Sequence, residues 1–123
     1  MKRVLVVEDN KDEILLFKTI LAKTECLAHV TNNPYEGLQM TINGDCDILV
    51  TDIAMPVLDG FMIVETVRKV NKEIPIVVVS CHVGEHIKQK AFELGANYFV
   101  EKPFSINDFL RVINNIYNEI NSK

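Results

Sequence analysis

The chain has 123 residues, 48% of them hydrophobic, which suits one globular domain with a well-covered core. An excess of 17 acidic over 13 basic residues gives a net charge of −4 and argues against a bulk electrostatic grip on nucleic acid. No run approaches the roughly 20 apolar residues that span a bilayer. Cys26, Cys46 and Cys81 form no Cys-x-x-Cys pair, so we expect free thiols and a cytoplasmic protein.

Short apolar runs alternate with amphipathic segments along the chain. The first run, residues 4–7, ends in charged residues, as is typical of a buried strand of a parallel sheet. A helix is predicted from Asp12, then a strand at residues 26–30, then a brief helix capped by Asn32 or Asn33 with Pro34 in its first turn. The apolar residues of the first helix fall largely on one side: Ile14, Leu15, Leu16, Phe17 and Leu21.

The same alternation continues to the end of the chain. The further predicted strands are residues 48–50, 76–79 and 98–100, and the further helices are residues 61–70, 84–94 and 106 to about 120. The last helix has a capping box at Ser105 and Asp108. Its core stripe consists of Ile106, Phe109, Leu110, Ile113, Ile116, Tyr117 and Ile120. Five strand-helix units with unbroken apolar strands predict an α/β fold, with a parallel sheet between two helical layers.

Polar residues follow the predicted strands at their carboxyl ends. They are Glu8 and Asp9 after the first strand, Asp52 after the third, Ser80 after the fourth and Lys102 after the fifth. Because these ends lie on one edge of a parallel sheet, where such sheets bind ligands, we expect the side chains to converge. Clustered carboxylates repel one another unless a cation neutralises them, and oxygen ligands that couple to a phosphate suit Mg²⁺.

This constellation predicts phosphoryl transfer to an aspartate. A carboxylate is already ionised at neutral pH, so Asp52 can attack phosphorus without a general base once it is positioned and its charge is neutralised. Mg²⁺ and Lys102 would neutralise the charge, and Ser80 would donate a hydrogen bond to a phosphoryl oxygen. The predicted product is an acyl phosphate on Asp52.

Four separated motifs resemble those of a known family. They are Val-Val-Glu-Asp-Asn at residues 6–10, Asp-Ile-Ala-Met-Pro-Val-Leu-Asp-Gly at residues 52–60, Ser80 at the end of a strand, and Gly95-Ala96 leading to Lys102-Pro103-Phe104. With them the chain resembles the receiver domain of bacterial two-component response regulators, of the chemotaxis-regulator type, over essentially its whole length. The resemblance implies that residues 1–123 form one doubly wound, flavodoxin-like domain with sheet order 2-1-3-4-5.

The resemblance also implies a role for each matching residue. Asp52 is the expected phosphoacceptor, and Lys102 is expected to bind the phosphoryl group and to precede a cis bond to Pro103. The expected protein contribution to the Mg²⁺ site is Glu8, Asp9 as a direct ligand, Asp52 and the backbone carbonyl of Ala54.

The family's switch pairs a hydroxyl with an aromatic side chain, which here are Ser80 and Phe99. Phe99 lacks the hydroxyl of the tyrosine that many members have at this position, so the expected switch is one of packing. It would change the shape of the face built from the fourth helix, the fifth strand and the fifth helix. Cys81, beside the phosphorylation site, is bulkier than the alanine or glycine that is usual there.

By this resemblance the chain is expected to be a signalling switch and not an enzyme. A sensor histidine kinase or a histidine phosphotransfer protein would phosphorylate it. The output would pass to a downstream protein target or to an appended output domain, with no direct contact to nucleic acid or membrane.

Three other functions remain open at this point. A phosphorylation-independent, receiver-like scaffold would keep the fold without the chemistry. A Mg²⁺-dependent phosphohydrolase that passes through an aspartyl phosphate would carry Asp-x-Asp after the first strand, where this chain has Glu8-Asp9-Asn10. A flavin binder would need a phosphate loop rich in serine, threonine or glycine at the same place.

Overall fold

The computed structural model describes residues 2–82 and 84–121, in which five strands alternate with five helices. The strands are β1 (Arg3–Val7), β2 (Leu27–Thr31), β3 (Ile48–Asp52), β4 (Ile76–Ser80) and β5 (Tyr98–Glu101). The helices are α1 (Lys11–Leu21), α2 (Pro34–Ile42), α3 (Gly60–Val70), α4 (Glu85–Leu94) and α5 (Ile106–Asn121). Within these described ranges, no helix has the length and apolar character needed to cross a membrane.

The strands form one sheet in the order β2-β1-β3-β4-β5, and every neighbouring pair is parallel. This topology confirms the predicted fold class and strand order. In the register of β1 and β3, Val7 lies opposite Thr51, so the next residues, Glu8 and Asp52, are neighbours at the carboxyl edge. The strand order reverses between these two strands, which is the position where open α/β sheets bind ligands.

Helices cover both faces of the sheet and divide the core into two clusters. On one face Leu5 and Leu49 pack with buried side chains of α3 and α4 and with half-buried ones of α2. On the other face Val6 and Val50 pack with α1 and α5. The central strands β3 and β4 are buried along their whole length, which explains why their sequences show apolar runs and no alternation.

Polar side chains cap four of the helices. Asn10 and Asn33 each accept hydrogen bonds from two backbone N–H groups in the first turns of α1 and α2. Asp59 caps α3 through one such bond, and the Ser105 hydroxyl oxygen caps α5 in the same way. Asn33, not Asn32, is therefore the cap of the second helix, and the predicted role of Ser105 is confirmed.

The observed element boundaries lie within two residues of the predicted ones. The prediction that Leu15 lies on the same side of α1 as the other apolar residues was wrong, because Leu15 is 66% exposed. Ile20, which the prediction did not include, is buried on the core side of the helix. The buried face of α1 consists of Phe17, Ile20 and Leu21. Leu15 stands two residues before Phe17, about 200° around a helix of 3.6 residues per turn, and so points away from the core.

Candidate functional site

Three of the residues singled out from the sequence meet at the carboxyl edge of the sheet. The Lys102 ammonium Nζ lies 3.0 Å from Glu8 Oε2 and 3.1 Å from Asp52 Oδ2. Glu8 and Asp52 are buried, and the Lys102 side chain is 8% exposed. Residues that are far apart in the sequence thus form one buried ion-pair network.

The strands and their hydrogen bonds fix the position of this network. Glu8 donates its backbone N–H to the Thr31 carbonyl, at 3.0 Å, and Lys102 donates its own to the Ser80 carbonyl, at 2.8 Å. These bonds continue the parallel ladders one residue past the strands. The side chains at the strand ends therefore have little freedom to move apart.

Gly60 holds the turn that follows Asp52. Its N–H donates to the Ile53 carbonyl at 2.9 Å, and a Cβ at position 60 would overlap the carbonyl oxygen of Asp52. The lack of a side chain at Gly60 thus allows α3 to begin directly against the end of β3. This close approach is the steric reason for a glycine at the start of α3.

A third carboxylate, which the sequence analysis did not single out, joins the network. Glu13 Oε1 lies 2.8 Å from Lys102 Nζ, and the Glu13 side chain is 29% exposed. Acidic residues are common in the first turn of a helix, where they interact favourably with the helix dipole. The local sequence therefore does not distinguish Glu13 as a site residue. The sequence feature that could have identified Glu13 as a site residue is its position close to the loop after β1.

Burial and the neighbouring charges shift the pKa values of Glu8 and Lys102 in this network. Burial raises the pKa of Glu8 to about 7, and the Asp52 charge adds to the rise, while hydrogen bonds from Asn10 and Lys102 oppose it. Burial by itself lowers the pKa of Lys102, but its hydrogen bonds to Glu13 and Glu8 and the charge of Asp52 raise that pKa overall. One ammonium faces three carboxylates, so the site favours a further cation.

The donor atoms fit a hard divalent ion. Oxygens of Glu8, Glu13 and Asp52 all lie within 4.8 Å of one another. Within residues 2–82 and 84–121, Asp52 Oδ1 is buried and has no hydrogen-bond partner. A buried carboxylate oxygen is rarely left without a partner, and a cluster of such oxygens is the ligand type that Mg²⁺ prefers.

Comparison with known proteins gives the family. The family model of the response regulator receiver domain matches residues 4–114. The chain belongs to the response regulator receiver domains. It is 31% identical over 116 residues to the response regulator SaeR of Staphylococcus aureus, with 94% of this chain and 50% of SaeR covered. The receiver thus spans about half the length of this curated relative.

Solved structures agree with this assignment. The receiver domain of the Francisella response regulator 1452 superposes with a TM-score of 0.90 at 27% identity, over 98% of this chain and 99% of that one. The receiver domain of the sensor histidine kinase PA1611 of Pseudomonas aeruginosa, which holds a magnesium ion in its active-site cleft, superposes with a TM-score of 0.83. It is 19% identical and covers 93% of this chain and 95% of its own, so this second likeness concerns the fold.

The receiver's expected metal ligands occupy different environments. Asp9 is exposed beside Glu8, and the carboxylate that joins Glu8 and Asp52 among the described residues is Glu13. Ala54 is exposed in the loop after β3. The roles of Asp9 as a direct ligand and of the Ala54 carbonyl stay predictions. The expected cis peptide bond between Lys102 and Pro103 is present.

Neither of the two expected switch residues is a member of the described ion-pair network. Ser80 is buried at the end of β4, where its Oγ accepts a hydrogen bond from the His82 N–H at 2.9 Å. Phe99 is half-buried in β5 and packs against the core cluster on the side of α3 and α4. Among the described hydrogen bonds, the Ser80 hydroxyl contacts the backbone of His82 and not Asp52 or Lys102.

Proposed function

We propose that this receiver is a phosphorylation-dependent signalling switch of a two-component system or phosphorelay. Asp52 would accept a phosphoryl group from a phosphohistidine. The observation that carries the proposal is the state of the Asp52 carboxylate: Oδ2 contacts Lys102 at 3.1 Å, while Oδ1 is buried without a hydrogen-bond partner in the part of the chain that the structure describes. One oxygen is thus oriented by a cation and the other remains free to react.

The proposed step is an in-line displacement at phosphorus. A carboxylate oxygen of Asp52 forms the new bond to phosphorus, the bond from phosphorus to the donor's imidazole nitrogen breaks, and the imidazole leaves with the electron pair. Lys102 would neutralise charge on the transferred phosphoryl oxygens, because its ammonium already lies against Asp52. Ser80 would turn its hydroxyl from the His82 backbone to a phosphoryl oxygen.

Mg²⁺ is the proposed cofactor, held by Glu8, Asp9, Asp52 and the Ala54 carbonyl. When bound, it would neutralise charge on the carboxylates and the phosphoryl group together. Three carboxylates face a single ammonium, so the protein's own residues leave negative charge uncompensated, and this excess supports the assignment. Glu13 is an additional carboxylate at the same place.

Partners follow from the chemistry. A sensor histidine kinase or a histidine phosphotransfer protein would supply the phosphoryl group. Movement of Ser80 and repacking of Phe99 would alter the face formed by α4, β5 and α5, and a downstream protein target or an appended output domain would read that face. We propose that residues 1–123 act as one such domain in the cytoplasm, without direct contact to nucleic acid or membrane, and as a switch and not an enzyme.

Intact-mass measurement tests this function. The protein is incubated with acetyl phosphate, with and without Mg²⁺, beside an Asp52→Asn variant. We expect a metal-dependent gain of one phosphoryl group in the wild type and none in the variant, because the variant lacks the nucleophilic oxygen pair. Failure of the wild type to take up either the phosphoryl group or beryllofluoride would contradict the proposal and favour the phosphorylation-independent scaffold. Steady release of phosphate from many esters would favour the phosphohydrolase.

A further inference from the structure

All three hydrogen-bond donors of Lys102 are in use. The ammonium lies 3.0 Å from Glu8 Oε2, 2.8 Å from Glu13 Oε1 and 3.1 Å from Asp52 Oδ2. An ammonium group has three N–H donors, so three carboxylate partners saturate it. A phosphoryl oxygen can therefore receive a hydrogen bond from Lys102 only after one of these partners gives way.

The three partners differ in how easily they can leave. The Glu8 side chain is 1% exposed and the Asp52 side chain is 7% exposed, so neither can move its charge into water without a large rearrangement. The Glu13 side chain is 29% exposed and stands in the first turn of α1, at the border of the site. Rotation about its side-chain bonds would take the Glu13 carboxylate into solvent at a lower cost than for Glu8 or Asp52.

We propose that Glu13 is a positioning residue that occupies Lys102 in the unphosphorylated receiver and is displaced by the incoming phosphoryl group. This inference rests on the proposed function, because it concerns the phosphoryl site on Asp52. Glu13 acts against phosphorylation in two ways that add together. It uses a donor of Lys102 that the phosphoryl group needs, and its negative charge repels an anionic donor that approaches Asp52.

The test compares Glu13→Gln with Asp12→Asn. Both substitutions remove one negative charge from the first turn of α1, but among the described ion pairs Lys102 contacts Glu13 and not Asp12. Calorimetry measures the beryllofluoride Kd with Mg²⁺ at saturation, and intact mass gives the KM and the maximal rate of phosphorylation by acetyl phosphate. A separate calorimetric titration measures the Kd for Mg²⁺ alone.

For Glu13→Gln we expect the beryllofluoride Kd and the KM for acetyl phosphate to fall by about three- to tenfold, because one like charge leaves a partly buried site. The maximal rate should stay within about twofold, since Glu13 does not touch the reacting atoms. Asp12→Asn should change each quantity by less than about twofold, as expected for an exposed charge screened by water. Glu13→Ala, which cannot accept a hydrogen bond, should reproduce the gain.

Several results would overturn the proposal. A beryllofluoride Kd that is unchanged or higher in both Glu13→Gln and Glu13→Ala would show that Glu13 does not compete for Lys102. A loss of Mg²⁺ affinity of about tenfold in the same variant would make Glu13 a metal ligand instead. An equal gain in Asp12→Asn would reduce the effect to net charge. If the wild type itself takes up no beryllofluoride and no phosphoryl group, the proposed function fails together with this inference, which distinguishes that case from the others.

Discussion

The two ends of the sheet satisfy their charges in different ways. At the amino end, Arg68 donates from Nε to the Gly95 carbonyl at 2.8 Å, from Nη1 to the Asn71 carbonyl at 3.1 Å, and from Nη2 to Asn97 Oδ1 at 2.8 Å. All three acceptors are neutral. At the carboxyl end, the Lys102 ammonium faces three carboxylates.

From this difference we infer that the charge of Arg68 stabilises the fold, whereas the charge of Lys102 belongs to a ligand-binding site. Arg68 ties the end of α3 to the segment before β5, and each of its contacts is complete without any other molecule. The Lys102 site keeps surplus negative charge, which a cation would neutralise, and within residues 2–82 and 84–121 Asp52 Oδ1 has no hydrogen-bond partner. We therefore expect substitutions at the amino end to change stability alone. Substitutions at the carboxyl end are expected to change both stability and ligand binding.

The largest expected effect on stability is at the amino end. Arg68→Ala removes three hydrogen bonds from a charged donor and should lower the free energy of unfolding by about 2 kcal/mol, measured by urea denaturation. Lys69→Ala, which removes an exposed charge from the neighbouring position, should cost less than about 0.5 kcal/mol. A change of more than about twofold in the Mg²⁺ affinity of Arg68→Ala would contradict the statement that substitutions at the amino end change stability alone.

The pH dependence of stability should have opposite signs at the two ends. Burial raises the pKa of Glu8 to about 7, so between its unfolded pKa of about 4.3 and that value the folded state binds more protons than the unfolded state. Glu8 therefore makes the free energy of unfolding fall, by about 1 kcal/mol or more, as the pH rises from about 5 to about 8 without metal. Urea denaturation across this range measures the fall, and Glu8→Gln should remove it.

Asp47 gives the contrasting sign at the amino end. Its hydrogen bond with Arg3 holds the pKa of the Asp47 carboxyl below its ordinary value. The stability that this pair contributes is present above the ordinary aspartate pKa and is lost as the pH falls through the lowered value. A fall in stability between about pH 5 and pH 8 that persists in Glu8→Gln would contradict the assignment of this slope to Glu8.

A smaller effect is expected from neutralising the phosphoacceptor. Asp52→Asn removes one of three like charges around Lys102 and should raise the free energy of unfolding by about 1 kcal/mol when chelator is present. Asp47→Asn at the amino end serves as the matched substitution and should lower stability by about 0.5 kcal/mol, as for an exposed ion pair. Equal signs for the two variants would show that the two ends do not differ as described.

The smallest effect concerns the backbone of the loop after β3. Val57 has a φ of 72°, a left-handed conformation that costs a β-branched residue about 1–2 kcal/mol, and it is exposed. Val57→Gly relieves this strain but adds about 0.5–1 kcal/mol of unfolded-state entropy, so a net gain of about 0.5 kcal/mol is expected by thermal denaturation. A loss of stability would mean that Val57 contributes packing that outweighs its strain. Val57→Ala, which keeps a Cβ at positive φ, should gain less.

The sequence by itself determined the architecture and most of the site. Unbroken β-branched runs separated by helices of about ten residues have one common solution, a parallel sheet covered on both faces. Because the carboxyl ends of such strands share one edge, Glu8, Asp52 and Lys102 were predicted to converge from their strand-end positions alone, and they do. The caps at Asn33 and Ser105 were also predictable, since capping depends on local hydrogen bonds.

Only the tertiary structure decided which other side chains reach each other across elements. Glu13 joins the site because the first turn of α1 faces Lys102, which depends on how that helix packs and not on its sequence pattern. Arg68 was overlooked because its acceptors lie 3, 27 and 29 residues away and two of them are backbone carbonyls, which every residue has. Leu15 differs from these two residues, because the helical period itself places it about 200° from Phe17, and its exposure in the structure agrees with that angle. Local chemistry fixes elements and their ends, whereas contacts between helices and loops depend on packing angles that no short segment encodes.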